Sequence, residues 1–185
     1  MPAVRGQGGD TARGATASDR RVSAVDFRPV GLLVGHSTDS EGGTGLTVLR
    51  HAERAWRGGA AVVGRATGTR ELPAVLPWHL ADRIDAVMLT GGSAYGLDAA
   101  AGVMRWMEER GRGYPLGPVV VPIVPAAVIF DLLPTGRPDA RPTAEMAYAA
   151  CDSATAQDIA EGSVGAGTGA TVGKVAGPER AMKGG

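Results

Sequence analysis

The stretch Ile84-Asp-Ala-Val-Met-Leu-Thr-Gly-Gly-Ser-Ala-Tyr-Gly96 decides the fold class. Ile84 to Thr90 is an apolar run of strand length and reads as a buried strand. Gly91 to Gly96 is a tight turn. Leu97 to Arg112 then switches to helical spacing, with Ala100, Val103, Met104 and Met107 on one face and Asp98, Arg105, Glu109 and Arg112 on the other. Gly113 stops that helix. Strand, turn and amphipathic helix in this order predict layered packing of the α/β or α+β kind.

Working outward, Val30 to Gly35 and Leu46 to Arg50 predict short strands on either side of the polar turn Ser37 to Gly43. Ala60 to Val63 predicts a third brief strand. Val119 to Val124 predicts another, and Pro122 within it points to an edge or a bulge. Pro142 to Ile159 predicts a second helix with Met146, Ala149, Ala150 and Ala154 facing inward. The Gly-rich stretch Gly162 to Lys174 reads as a closing strand whose glycines admit a close neighbour. Residues 1–24 offer almost nothing to bury and are expected to be a flexible tail, leaving 25–185 as the domain portion.

Composition narrows the function. At 185 residues and 44% hydrophobic, the chain can form one real core. Lys+Arg and Asp+Glu are both 19, so no net field favours nucleic acid or an anionic membrane. The single cysteine, Cys151, rules out an intrachain disulfide and a cysteine-based zinc site within this sequence, and suits a reducing cytoplasm. Cys151 itself reads as an inert buried thiol on an alanine-rich helix face. His36, His51 and His79 have no metal-ligand spacing. No metal and no cofactor are expected.

Gly91-Gly-Ser-Ala-Tyr-Gly96 joins a strand to a helix start, where free N–H groups favour an anion or a developing oxyanion. Ser93 either donates to a substrate or caps the helix, and Tyr95 fits core and site equally. Gly165-Ala-Gly-Thr-Gly-Ala170 has the spacing of a dinucleotide turn but neither the strand before it nor the helix after it. It reads as a packed strand or as one lining a site. Arg65, Thr67, Arg70 and Glu71 suit a ligand carboxylate, a solvated turn or a subunit contact. Asp131 either orients a catalytic amine or caps a turn.

Several long segments together resemble one family. They are Leu89-Thr-Gly-Gly-Ser-Ala-Tyr-Gly-Leu-Asp-Ala-Ala100, Gly102-Val-Met-Arg-Trp-Met-Glu-Glu109, Val121-Pro-Ile-Val-Pro-Ala-Ala-Val-Ile-Phe-Asp131, Arg141-Pro-Thr143, Glu161-Gly-Ser-Val-Gly-Ala-Gly-Thr-Gly-Ala-Thr-Val-Gly-Lys174 and Gly177-Pro-Glu-Arg-Ala-Met-Lys-Gly-Gly185. In order and in register they resemble the L-aminopeptidase/D-esterase family, which includes β-aminopeptidases and nylon-oligomer hydrolases. The resemblance implies an α/β fold arranged as a four-layer αββα sandwich completed by a separate β chain. It implies a precursor that cuts itself after a Lys-Gly-Gly-x-Gly segment, freeing a Ser or Thr as the N-terminal nucleophile of the β chain. This chain then looks like the α subunit, ending two residues short of the cut.

The implied activity is an N-terminal-nucleophile aminopeptidase or amidohydrolase acting on small peptides, amides or esters. The implied partners are the β chain and further αβ pairs in a symmetric oligomer, with no nucleic acid and no membrane. On this chain the resemblance makes Ser163 the candidate oxyanion donor, in the place of the family's usual Asn. Ser93, Tyr95, Gly165, Gly167 and Thr168 become candidate substrate-binding residues. Where some relatives carry a Glu and a Tyr, this sequence has the apolar Ala126-Ala-Val128. The competing readings are acyl transfer of the ornithine-acetyltransferase type, a non-catalytic binding scaffold, and a carrier that uses its Gly-Gly end.

Overall fold

Five strands form the main sheet. They are β1 (Leu32–Asp39), β2 (Thr44–His51), β3 (Thr69–Arg70), β4 (Ala86–Thr90) and, after the helix α1 (Ala100–Glu108) and the hairpin β5 (Tyr114–Leu116) and β6 (Val119–Val121), β7 (Ala126–Val128). The helix α2 (Ala144–Asp152) and the short strands β8 (Thr171–Val172) and β9 (Met182–Lys183) complete the order. The computed structural model describes residues 25–133 and 136–184. The tail expected over 1–24 lies outside them.

The sheet order is β1-β2-β4-β7-β3. Among the described residues only β4 and β7 run parallel, and the long excursion through α1 between them is the crossover such a pair requires. Antiparallel pairing puts Val48 opposite both Gly35 and Met88, and Leu46 opposite Ser37 and Thr90. This is the face that buries against the helices. Leu46, Val48, Ala86, Met88, Val124 and Ala126 pack there against Val103, Trp106 and Met107 of α1 and Ala147, Ala150 and Cys151 of α2. Burying one such large apolar side chain contributes roughly 1.5–3 kcal/mol. Two glycines set the spacing of the layers. A Cβ at Gly35 would overlap the Ala150 carbonyl, and one at Gly102 would overlap the Ala144 carbonyl. Arg50 points into the same face, where its Nε donates to the Cys151 carbonyl at 3.0 Å and its guanidinium stacks 4.3 Å from the Trp106 ring.

The fold is mixed α/β, as expected, with several local corrections. Ala60–Val63 forms no strand: Val63 is 92% exposed, and Thr69–Arg70 takes the place beside β7 instead. A short apolar run has strand propensity but needs a partner edge to become one. Before α1 the chain is a 3-10 segment, Ser93–Ala99, because a Cβ-free Gly96 lets the turn close over the Gly91 carbonyl. Pro122 neither edges nor bulges the main sheet; it follows the last residue of β6, in a separate two-stranded hairpin. The second helix stops at Asp152, since Thr155 leaves to bridge Val34 on the sheet edge. Its inward residues are Ala147, Ala150 and Cys151, whereas Ala149 is exposed. The Gly162–Lys174 stretch is no continuous strand: Gly165–Gly167 is a 3-10 turn, and only Thr171–Val172 pairs.

Candidate functional site

Asp131 organises the end of the sheet where β2 begins and β4 ends. It is 1% exposed. Its Oδ2 accepts from the Thr44 hydroxyl at 2.6 Å and its Oδ1 from the Gly92 N–H at 2.6 Å. Such bonds to a carboxylate are of the strong, charge-assisted kind. Two glycines make room for it. A Cβ at Gly91 would overlap the carboxylate, and a Cβ at Gly169 would lie 2.5 Å from the Asp131 Cβ. Three segments distant in sequence therefore meet on one buried side chain: the start of β2, the Gly91–Ser93 turn and the end of the Gly165–Gly169 turn. Of the two roles read from the sequence, the turn-shaping one is seen in the bond from Gly92 N–H.

The Gly91–Ser93 turn does not present an open backbone anion site. Gly91 N–H donates to Gly45 O at 2.8 Å, Gly92 N–H to Asp131, and Ser93 N–H to Ile129 O at 3.0 Å. Nor does Ser93 cap the following segment, where Gly92 holds the cap position without a side-chain bond. Ser93 is instead held at φ 53°, in the left-handed region that costs a non-glycine residue about 1–3 kcal/mol. Its hydroxyl is the polar group this turn offers. Tyr95 is 63% exposed, with the Arg141 guanidinium 4.5 Å from its ring centroid.

The Gly165–Thr168 turn lies on the sheet face away from the helices. Gly165 N–H donates to Thr38 Oγ1 at 2.8 Å, Ala166 N–H to Thr47 Oγ1 at 3.1 Å, and the Thr168 hydroxyl to Gly165 O at 2.7 Å. Gly167 N–H donates back to Val164 O at 2.9 Å. Gly165 sits at φ 53°, where a Cβ would also press on His36 Nδ1. His36, cross-strand partner of Thr47, is bonded to that hydroxyl at 2.9 Å. Burial pushes the His36 imidazole below its usual pKa, and the Ala160 backbone partly offsets this. Ser163 is exposed just ahead of the turn. Gly45 links the two turns: its carbonyl receives Gly91 N–H, and a Cβ on it would come 2.5 Å from Gly165 O.

Thus Ser93, Gly165, Gly167 and Thr168 lie on turns that share supports, while no hydrogen bond joins Ser163 or Tyr95 to them among the described residues. Thr38, Thr44, Thr47 and His36 escape the sequence reading. Thr44 and Thr47, interleaved with the apolar Leu46, Val48 and Leu49 of β2, are the signal that was available.

The last strand closes the site. Lys183 Nζ donates to the carbonyls of Gly167 and Thr168, both at 2.6 Å, and lies 3.4 Å from that of Ala170. Burial lowers its pKa, and the negative Asp131 opposes that shift. Lys174 Nζ donates to Phe130 O at 2.8 Å, beside Asp131. Elsewhere, Glu71 Oε2 accepts from Val124 N–H at 2.9 Å and Arg70 Nη2 donates to Met104 Sδ at 3.0 Å. The Cys151 thiol is buried and pushed up to about 12. Among the described residues, no three His, Cys, Asp or Glu side chains gather as a metal site. A cavity of about 410 Å³ lies away from Asp131, beside β7, and is lined by Val62, Val63, Leu72, Val87 and Ala127.

Residues 29–178 match the family described as peptidase family S58. An uncharacterized aminopeptidase of Mycobacterium bovis is 53% identical over 114 residues, covering 62% of this chain and 33% of that protein. A 6-aminohexanoate-oligomer endohydrolase of a Kocuria species is 34% identical over 166 residues, covering 86% and 41%. Among solved structures, the PH0078 protein of Pyrococcus horikoshii aligns with a TM-score of 0.60 at 23% identity, covering 81% of this chain and 48% of that one. A Burkholderia β-aminopeptidase aligns at 0.57 and 22%, covering 75% and 40%. These two similarities speak for the fold. The chain spans 33% to 48% of the length of these four relatives.

Proposed function

Because this chain belongs to peptidase family S58, we propose that it is the α portion of a self-cleaving N-terminal-nucleophile aminopeptidase or amidohydrolase. Its substrates are small peptides, amides or esters, and its nucleophile is a Ser or Thr at the start of a companion β chain. The observation that carries this reading is the seating of the final strand, β9, against the Gly165–Ala170 turn, which in turn packs on Asp131. Met182–Gly184, just ahead of the expected cut, thereby lie against a turn that shares supports with the Gly91–Ser93 turn, and this supports the reading.

The chemistry is self-consistent. A Ser or Thr hydroxyl is a weak nucleophile until a base takes its proton. Cutting frees an α-amine, of pKa about 8, on the same residue, so nucleophile and base arise together. The oxyanion that follows needs donors. The N–H groups of Gly165 and Ala166 already serve Thr38 and Thr47. The exposed Ser163 hydroxyl, in the place of the family's usual Asn, is our oxyanion donor, with the Ser93 hydroxyl, Tyr95 and the Gly165–Thr168 turn around the substrate.

The sheet face opposite the helices supports a four-layer αββα arrangement. Leu89 on that face is 41% exposed, and Leu49, Val87 and Ala127 are only half-buried. A second sheet from the β chain would cover them, and αβ pairs would build a symmetric oligomer. The pinning of Met182–Gly184 weighs against a Gly-Gly carrier, which needs a free tail. Among the described residues no helix is long and apolar enough to cross a membrane, and the buried single thiol accords with a cytoplasmic home.

Intact-mass measurement on the full gene product is the test. Two chains, the second beginning with Ser or Thr, are expected. A single uncut polypeptide overturns the proposal. Turnover of aminoacyl p-nitroanilides, weighed against transfer to added amine acceptors, separates hydrolase from acyltransferase and from a non-catalytic scaffold.

A further inference from the structure

We infer that Lys183 is a positioning residue that fixes the register of the chain just ahead of the self-cleavage point, by gathering the carbonyls of Gly167, Thr168 and Ala170 around its ammonium group. The inference rests on the self-cleaving reading above.

Three facts carry it. First, an ammonium has three donors and no acceptor, and here three carbonyl oxygens lie 2.6, 2.6 and 3.4 Å from Nζ. Three carbonyl dipoles converging on one point repel one another, and the cation between them offsets that repulsion. Second, the backbone of the same residue pairs with the same stretch: Thr171 lies opposite Lys183, Val172 opposite Met182, and Gly184 N–H donates to Ala170 O at 2.9 Å. Third, the far side of that stretch is anchored, since Gly169 backs directly onto Asp131, which holds Gly92 and Thr44. Contacts thus run without a gap from the residue after Lys183 to the Gly91–Ser93 turn.

A hairpin with two paired residues a side is not stable by itself. Without the lysine its register is weakly specified. A slip by one residue would advance the following chain by roughly 3.3 Å and turn each side chain to the other face. Attack on one particular peptide carbonyl tolerates no such displacement. Loss of Lys183 should therefore slow the cut far more than it loosens the α/β core, of which this exposed residue is no part.

The experiment follows cutting of the full-length gene product over time by intact mass, with thermal melting of each protein in parallel. Lys183→Met should slow cutting by about tenfold or more, as for loss of hydrogen bonds to a charged group, with little change in melting. Lys183→Arg keeps charge and donors and should restore most of the rate. Lys183→Gln keeps two donors without the charge, should fall between them, and replaces the methionine variant if that one does not accumulate folded. Wild-type cutting rates in both neutral variants overturn the inference, as does a slowed cut that arginine fails to rescue and that tracks a drop in melting. A wild-type protein that never cuts overturns the self-cleaving reading and this inference with it, and so differs visibly from failure of the inference alone.

Discussion

Asp131 shows how much one buried carboxylate can fix. Both its oxygens accept, one from a side chain and one from a backbone N–H. Asp131→Ala removes both acceptors and leaves the buried Gly92 N–H without a partner. Loss of about 1–3 kcal/mol is expected in urea unfolding of the folded protein, and, on the proposed function, lower turnover as the Ser93 turn relaxes. An unchanged midpoint would show that the turn stands without the carboxylate. His36 gives a pH signature. Its folded pKa lies below its unfolded one because burial disfavours the charged ring. The unfolded chain therefore takes up the proton first, and stability should fall as pH drops below about 6.5. Melting temperature against pH should show this slope in the wild type and a shallower one in His36→Gln.

Among the elements, α2 depends on its start. It has nine residues, too few to be stable by itself, and Thr143 caps it by accepting from Met146 N–H at 3.3 Å. Thr143→Ala should cost about 1 kcal/mol in chemical unfolding, and Thr143→Ser almost nothing. Equal losses in both would locate the effect in the lost methyl group instead. The elements also differ in how legible they are. Ile84–Thr90 was readable because its apolar run continues into a glycine turn, and the structure keeps the strand as β4 over Ala86–Thr90. On α2 the expected face holds at Ala150 and at Met146, which packs on the core, and fails at Ala149, because the alanines leave several stripes equally apolar and only contact with α1, β1 and β2 selects Ala147 and Cys151. The 3-10 turn at Gly165–Gly167 was not legible, since glycines report permissiveness without saying which conformation is used.

For the whole molecule, the two sheet faces differ in kind. One is sealed by α1 and α2. The other carries the Gly165 turn and leaves Leu89 exposed, with Leu49, Val87 and Ala127 half-buried, along the middle strands. Expressed alone, this chain should bind a hydrophobic dye and self-associate, and, on the proposed function, co-expression with the proposed β chain should abolish both. Leu89→Glu should abolish co-purification of the two chains. Retention of the companion at wild-type yield would place the partner surface elsewhere.

By itself the sequence determined the layered α/β class, the main buried strand, the family and the Gly91–Gly96 turn of the site, because these follow from local periodicity and from residue types at fixed spacing. Tertiary structure alone decided that Asp131 joins three of those segments, that the N–H groups of Gly91, Gly92 and Ser93 are already committed, that Thr38, Thr47 and His36 brace the Gly165 turn, and that Lys183 folds back onto it. Each of these is a contact between residues far apart in the chain, set by strand order and by how closely glycine lets backbones approach. No local pattern encodes that distance.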